Sequence, residues 1–159
     1  YLALLDHTLS VNAAFKVGHS AVRRVVMGPD ATRREATPDE IAAMQALVHE
    51  SIEAGAIGFS SSWSTTHNDT EQNMVPSRYA TREEMIAVCS VLADHPGTSL
   101  EFIPTIGPFG DDGYTGEETK MIEELHKILD PSIAMTATCV PRCRNSAALV
   151  ARATAALRL

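Results

Sequence analysis

The stretch Glu53-Ala54-Gly55-Ala56-Ile57-Gly58-Phe59-Ser60-Ser61-Ser62 decides the fold of this chain. It has the pattern of a helix end, a glycine stop, a short buried strand and a loop of small residues. Gly55 stands where a left-handed helix C-cap is expected. The segment Ala56–Ser60 is short, apolar and bounded by turn signals, which is typical of a strand covered on both faces. Ligands bind at the loops that follow such strands, so the polar loop 61–69 is predicted to border any reactive site.

A capped helix precedes this strand. Thr37-Pro38-Asp39-Glu40 combines a capping threonine, a proline at the first helical position and a glutamate that can reach back to the cap. Similar capping boxes at Thr81–Glu84 and Thr115–Glu118 open two further helices. The apolar positions predicted to face the core are Ile41, Met44, Val48 and Ile52, then Met85, Val88, Cys89 and Leu92, then Met121, Ile122, Leu125, Ile128 and Leu129.

Strands are predicted between these helices, at Val11–Val17, Leu100–Ile106 and Ile133–Val140. Alternating strands and helices predict an α/β fold with a parallel sheet and right-handed crossovers. A TIM-like (β/α)8 barrel needs about 250 residues, so residues 1–140 are predicted to supply three to four of its units. We therefore expect a piece of a longer protein, whose unpaired strand edges favour self-association.

Charge and cysteine content narrow the function classes. The formal net charge is −7, which argues against a nucleic-acid surface. No apolar run approaches the length of a membrane span. Three cysteines without a secretory context predict reduced thiols and a cytoplasmic protein. The Arg- and Ala-rich tail, residues 141–159, is either an amphipathic helix or a foreign terminus.

Several motifs, taken in order, resemble the N-acyl-D-amino-acid deacylase (D-aminoacylase) group of the amidohydrolase superfamily. Val11–His19 and Val26–Gly28 are similar to its "VN-x-A-x-x-VGH…VMG" strand and turn. Ala36–Ile41 and Glu53–Ser60 are similar to its "ATP-(D/E)-E" and "EAGA-(I/L)-GFS" motifs, and Tyr79–Met85 resembles its next helix start. Each motif alone is weak, but their order and spacing across most of the chain make the resemblance specific.

The resemblance implies a metal-dependent hydrolase, using zinc in the full-length parent, that cleaves a non-peptide C–N bond of a small-molecule amide. The group's first-strand HxH and late aspartate would lie before Tyr1 and after Leu159. Typical members carry a metal-binding histidine where this chain has Leu100–Pro104. Glu101 offers a hard oxygen ligand there, and we predict it as a metal ligand. The alternative is a catalytically inactive fragment, a structural or binding remnant without metal ligands.

Five residues near the predicted strand ends are candidates for substrate binding. His19 either contacts substrate or is a core histidine bonded within the protein. Ser60 and Ser61 are predicted to line the rim, because no G-x-S-x-G elbow surrounds them. Trp63 either walls a pocket or packs within its loop, and His67 either contacts substrate or is solvated. No catalytic residue is assigned.

Overall fold

The computed structural model describes residues 2–5, 7–104, 117–129 and 132–137. Its helices and strands alternate in the predicted order. They are α1 (Leu2–Leu5), β1 (Val17–Gly18), α2 (His19–Met27), α3 (Pro38–Glu53), β2 (Gly58–Ser62), α4 (Arg82–Ser90), β3 (Ser99–Ile103), α5 (Glu117–Ile128) and β4 (Ala134–Ala137). None of the described helices combines the length and the apolar character that crossing a bilayer requires.

The four strands form one parallel sheet in the order β1-β2-β3-β4. Val17 pairs with Phe59, Phe59 with Leu100, and Leu100 with Met135. The helices α2 to α5 contact one another in the same sequence. Strictly sequential order is that of a (β/α) barrel wall, whereas a doubly wound sheet reverses its order partway. The predicted α/β class with parallel units is confirmed, and the four described strands make an open part of a barrel.

The hydrophobic core lies between the sheet and the helices. From the strands, Phe59, Leu100 and Phe102 are buried in it. The predicted helix positions that are buried are Met44, Val48, Ile52, Met85, Val88, Cys89, Leu92, Met121, Leu125 and Leu129. Ile128 was predicted to face inward, but it is 40% exposed. Leu125 and Leu129, four residues apart, form the buried line of α5, and Ile128 lies beside that line.

The capping box of α3 forms as predicted. The Thr37 hydroxyl accepts from the Glu40 N–H at 3.3 Å, and the Glu40 carboxylate accepts from the Thr37 N–H at 2.8 Å. Gly55, just after the helix, has a φ of 110°, which glycine adopts at little cost. The glycine stop is therefore confirmed, and it turns the chain into β2.

The boundaries of β1 and β2 differ from the prediction. The parallel ladder of β1 starts only at Val17, although the Ile57 N–H already donates to the Phe15 carbonyl at 2.9 Å. The second strand begins at Gly58, which pairs with Ser99, and ends at Ser62. A Cβ at Gly58 would lie 1.9 Å from the Ser99 carbonyl oxygen. The predicted strand Val11–Val17 was thus wrong over most of its length, since only Val17 belongs to β1, and Ala56–Ser60 was wrong at both ends.

The remaining boundaries follow the sequence more closely. β3 ends at Ile103, directly before Pro104, as proline at a strand end requires. The predicted strand Ile133–Val140 corresponds to β4 over Ala134–Ala137. The residues 105–116, with the start of the third capping box, and the tail 141–159 lie outside the described residues. The division of the chain at residue 140 therefore stays a prediction.

Candidate functional site

One row of small and polar residues crosses the sheet on the side away from the helices. The register places Gly18 beside Ser60, Ser60 beside Glu101, and Glu101 beside Thr136. Strand side chains alternate between the two faces. Because Phe59, Leu100 and Phe102 are buried in the core, this row faces the opposite side, which is the interior in a barrel. The interior face is therefore polar here, although barrel interiors usually carry bulky branched residues.

A cation reaches this row from the start of β1. Lys16 Nζ lies 3.2 Å from Glu101 Oε2, and the two side chains are 25% and 37% exposed. Ser60 lies on the strand between them, and its small side chain leaves room for the lysine to cross. Glu101, the predicted metal ligand, thus has one carboxylate oxygen bound to an ammonium group.

The described residues do not by themselves provide the metal centre that the resemblance implies. They contain no group of three or more histidine, cysteine, aspartate or glutamate side chains arranged to hold an ion. Glu101 is bound to Lys16, and an ion at this carboxylate would have to share it with that ammonium group. The assignment of Glu101 as a metal ligand stays a prediction.

Behind the strand ends lies a fully buried polar network. His19 is the first residue of α2, and its Nδ1 lies 2.8 Å from Ser61 Oγ on β2. Its Nε2 lies 2.9 Å from Glu84 Oε1 on α4. The other carboxylate oxygen of Glu84 accepts from Arg23 on α2. Because an ionised carboxylate only accepts, Nε2 of His19 carries the proton. One carboxylate thus binds two residues of α2 and joins them to α4.

Electrostatics hold this carboxylate ionised. Burial by itself would raise the pKa of Glu84, but the hydrogen bonds from His19 and Arg23 outweigh it and lower the pKa below its usual value. Arg23 is completely buried and also donates to the carbonyls of Ala31 and Arg34, at 3.4 and 3.1 Å. The network therefore contains a compensated ion pair, which burial permits only with such partners.

The Ser61–His19–Glu84 arrangement has the connectivity of a nucleophilic triad, but its burial prevents that role. Ser61 is 4% exposed, His19 1% and Glu84 0%, so the Ser61 hydroxyl lacks the access that a nucleophile needs. Arg23 also occupies the carboxylate that would orient the histidine. The arrangement can instead fix the carboxyl ends of β1 and β2 relative to α4.

A second set of hydrogen bonds closes the loop after β2 onto the same region. The Ser77 hydroxyl donates to the Ser62 carbonyl at 2.9 Å, and the Ser77 N–H donates to Ser20 Oγ at 3.1 Å. Ser77 is buried. Together with the polar network, these bonds attach the loop 63–81 to the end of β2 and to the start of α2.

The predicted rim residues are found in different environments. Ser61 and His19 are in contact and buried, whereas Ser60 is half-buried in the polar row. Trp63 is half-buried, packs edge-on against Phe102 with ring centres 5.6 Å apart, and donates its backbone N–H to Ile103. His67 is exposed in the loop, and its N–H donates to the Ser64 carbonyl at 3.0 Å. Their roles in substrate binding stay predictions.

Sequence reasoning missed three residues of this region: Lys16, Arg23 and Glu84. Arg23 had a usable signal, because it lies four residues from both His19 and Met27, on a helix face that is buried. A buried arginine requires a carboxylate partner. Lys16 and Glu84 gave no comparable signal, since neither position identifies its partner on another element.

No profile of a known protein family matches this sequence. A D-aminoacylase from Alcaligenes xylosoxydans xylosoxydans is 46% identical over 98 residues, which are 61% of this chain and 18% of that protein. A solved D-aminoacylase with a binuclear metal centre aligns with a TM-score of 0.63 and 30% identity, over 94% of this chain and 29% of its own.

The fold alone is also shared with a more distant structure. N-acyl-D-glutamate deacylase from Bordetella bronchiseptica, solved with zinc and a phosphonate inhibitor, aligns with a TM-score of 0.66 and 21% identity over 98% of this chain and 30% of its own. In each comparison the chain spans less than a third of the relative. Over most of its length this chain is similar to a section of the D-aminoacylase group of amidohydrolases, which confirms the resemblance inferred from its motifs.

Proposed function

We propose that this chain forms part of a metal-dependent amidohydrolase that hydrolyses the non-peptide C–N bond of an N-acyl-D-amino acid or a related small-molecule amide. The observation that carries the proposal is the 46% identity to a D-aminoacylase over 98 residues. The sequential parallel sheet supports it, because a barrel-type sheet places strand ends around one pocket.

In this proposal the described residues form the wall and floor of the pocket. Ser60 and Glu101 lie on the polar row that faces the barrel interior, and Lys16 orients the Glu101 carboxylate through their 3.2 Å contact. Trp63 and His67 belong to the loop above the strand ends. The buried network of His19, Arg23, Ser61 and Glu84 holds these ends in place. The zinc implied by the relatives needs ligands in addition to these residues.

The test is a hydrolysis assay on the purified chain and on any longer protein that contains it. The substrates are N-acetyl-D-amino acids, with the L-enantiomers and a cyclic amide as comparisons, assayed with and without added zinc. We expect release of the D-amino acid, abolished by chelation, and about one zinc per active molecule by elemental analysis. Failure of both proteins to hydrolyse any of these amides, with zinc present, would overturn the proposal.

A second candidate is a catalytically inactive remnant with a structural or binding role. The observation that favours it is the ion pair between Lys16 and Glu101 on the row where a metal ligand was predicted. This candidate predicts a folded chain that retains neither zinc nor deacylase activity. Stoichiometric zinc together with turnover by the 159-residue chain would exclude it.

Two further properties belong to the proposal. The outer edges of β1 and β4 have no partner strand among the described residues, which supports self-association through strand edges. Light scattering tests this, and a monodisperse monomer would contradict it. A cytoplasmic location is supported by the free, buried thiol of Cys89, and cell fractionation would test it.

A further inference from the structure

Two histidines form a close pair on the helix layer, on different elements from the polar row. His49 lies on α3, and His95 follows the 3-10 turn Val91–Asp94 after α4. His95 Nε2 and His49 Nδ1 are 2.8 Å apart. The ring centres are 4.6 Å apart, and the two ring planes make an angle of 51°. Both residues are half-buried, and the His49 side chain is 45% exposed. The pair joins two neighbouring helical units without any part in the candidate pocket.

Secondary structure and hydrogen bonds fix the backbone at both histidines. His49 lies within the sixteen-residue helix α3. The His95 N–H donates to the Leu92 carbonyl at 2.9 Å, and its own carbonyl accepts from the Thr98 hydroxyl at 2.7 Å. A ligand that bridges the two imidazoles would therefore find both backbone positions fixed and the rings already in contact, which reduces the ordering cost of binding.

The nitrogen–nitrogen distance distinguishes between metal geometries. An ion about 2.0–2.1 Å from each of two nitrogens that are 2.8 Å apart subtends an angle of roughly 85–90°. That is the angle between adjacent ligands in square-planar and octahedral complexes. A tetrahedral angle at the same bond lengths needs the nitrogens about 3.3 Å apart. The pair thus fits Cu²⁺ or Ni²⁺, which prefer tetragonal nitrogen and oxygen ligands, better than Zn²⁺.

The second nitrogen of His49 has a partner of the kind that metal-binding histidines use. His49 Nε2 lies 3.4 Å from Glu53 Oε1, one helical turn along α3. The two atoms are near enough for Glu53 to accept from Nε2 after a small side-chain rotation, which would fix the tautomer and leave the proximal nitrogen, here Nδ1, free to donate its lone pair. Because Glu53 is exposed, the remaining coordination positions are open to water.

From these contacts we propose that His49 and His95 form a surface site for a divalent transition-metal ion of tetragonal preference, with Glu53 orienting His49. On binding, the ion takes the place of the hydrogen bond between the imidazoles: His95 releases the proton on Nε2 to solvent and takes one up at Nδ1, so both histidines stay neutral and both facing nitrogens present lone pairs. The protein supplies two nitrogen ligands to this site. That is fewer than the three residues of a metal cluster, and no such cluster occurs among the described residues. Its ion would stiffen the contact between α3 and the turn after α4.

The test uses the purified 159-residue chain and CuCl₂ as the probe, by titration calorimetry and electron paramagnetic resonance. We expect one saturable copper site whose spectrum reports two coordinated nitrogens. His49→Gln and His95→Gln should each abolish the two-nitrogen spectrum and raise the Kd at least about tenfold, and Glu53→Gln should raise it about tenfold or more. Affinity should fall as the pH is lowered, because protons compete for the same nitrogens.

The matched control is His126→Gln, which removes an exposed histidine from α5 and should leave the affinity and the spectrum unchanged. Circular dichroism confirms that each variant keeps its helix content. Should either variant fail to fold, diethyl pyrocarbonate modification of wild-type chain gives the same information, because copper should protect His49 and His95 but not His126. A two-nitrogen signal that survives both substitutions, or a one-nitrogen spectrum in the wild type, would overturn the proposal.

Discussion

Replacing Glu84 by alanine is expected to lower the unfolding free energy by roughly 3–5 kcal/mol. The carboxylate accepts from His19 and Arg23, and all three side chains are completely buried. Its removal leaves Arg23 with the carbonyls of Ala31 and Arg34 as partners. A buried charge without a counter-charge accounts for most of the loss, and the cavity left by the shortened side chain adds to it.

Urea unfolding followed by circular dichroism measures this loss. Glu83→Ala is the matched control, since Glu83 is exposed in the same helical turn and should change stability by no more than about 0.5 kcal/mol. In thermal unfolding the Glu84→Ala loss corresponds to a fall of roughly 6–20 °C in Tm for a chain of this size. A Glu84→Ala variant within about 1 kcal/mol of wild type would refute the assigned role of the network.

A double substitution keeps the test valid if Glu84→Ala does not fold. Arg23→Met combined with Glu84→Met replaces the ion pair by apolar groups of similar volume, which is often neutral or stabilising. The double variant should therefore be more stable than Glu84→Met alone. If it is less stable, the penalty does not come from the uncompensated charge of Arg23.

The pH dependence follows from the same carboxylate. Its folded-state pKa lies below the ordinary value of 4.5, so its contribution to stability is complete above about pH 4.5 and is lost as the pH falls toward the folded-state pKa. With Glu84→Gln, the unfolding free energy should depend less on pH below about pH 5 than it does in wild type. An unchanged acid limb would show that the pKa of Glu84 is the same in the folded and unfolded chain, which contradicts the lowered value.

Four further outcomes are expected. Thr37→Ala should cost about 1 kcal/mol in urea unfolding because it removes the capping hydroxyl of α3, whereas Thr37→Ser should cost little. Gly58→Ala should prevent stable folding, since the added Cβ would lie 1.9 Å from the Ser99 carbonyl oxygen, while Gly18→Ala meets nothing within 4 Å and should be tolerated, as judged by thermal melts. NMR titration should give Glu40 a pKa of about 2, owing to its hydrogen bonds with Arg34 and Thr37, and Arg34→Gln should return it toward 4.5. Burial raises the pKa of the Cys89 thiol to about 12, so iodoacetamide at pH 8 should alkylate it only after unfolding, as read by peptide mass spectrometry.

Local sequence signals predicted the helix starts better than they predicted side-chain roles. Thr37–Glu40 and Thr81–Glu84 are the same motif, and in both the threonine hydroxyl accepts from the glutamate N–H. Only Glu40 is seen to return the bond to its threonine, whereas the Glu84 side chain pairs with His19 and Arg23. Partners distant in sequence decide which use a glutamate makes, and a local pattern does not contain them.

Strand boundaries and the interior row needed the sheet register. The apolar pattern located β2 to within two residues, but the start of its ladder is set by the close approach of Gly58 to Ser99. Once that register is known, Ser60 and Glu101 become neighbours, and Lys16 can reach across. From sequence alone Glu101 was a candidate for its oxygen chemistry, and the ammonium group beside it could not be foreseen.

The sequential strand order has a consequence for biosynthesis. Each described strand pairs only with strands that are adjacent to it in the chain, so no early segment must wait for a distant one before it can form hydrogen bonds. After β2 has paired with β1, the bonds from Glu84 add a buried attachment between α4 and α2. As the chain leaves the ribosome, the sheet can therefore grow by one β/α unit at a time. Loss of the Glu84 contact would weaken the attachment of the second unit to the first.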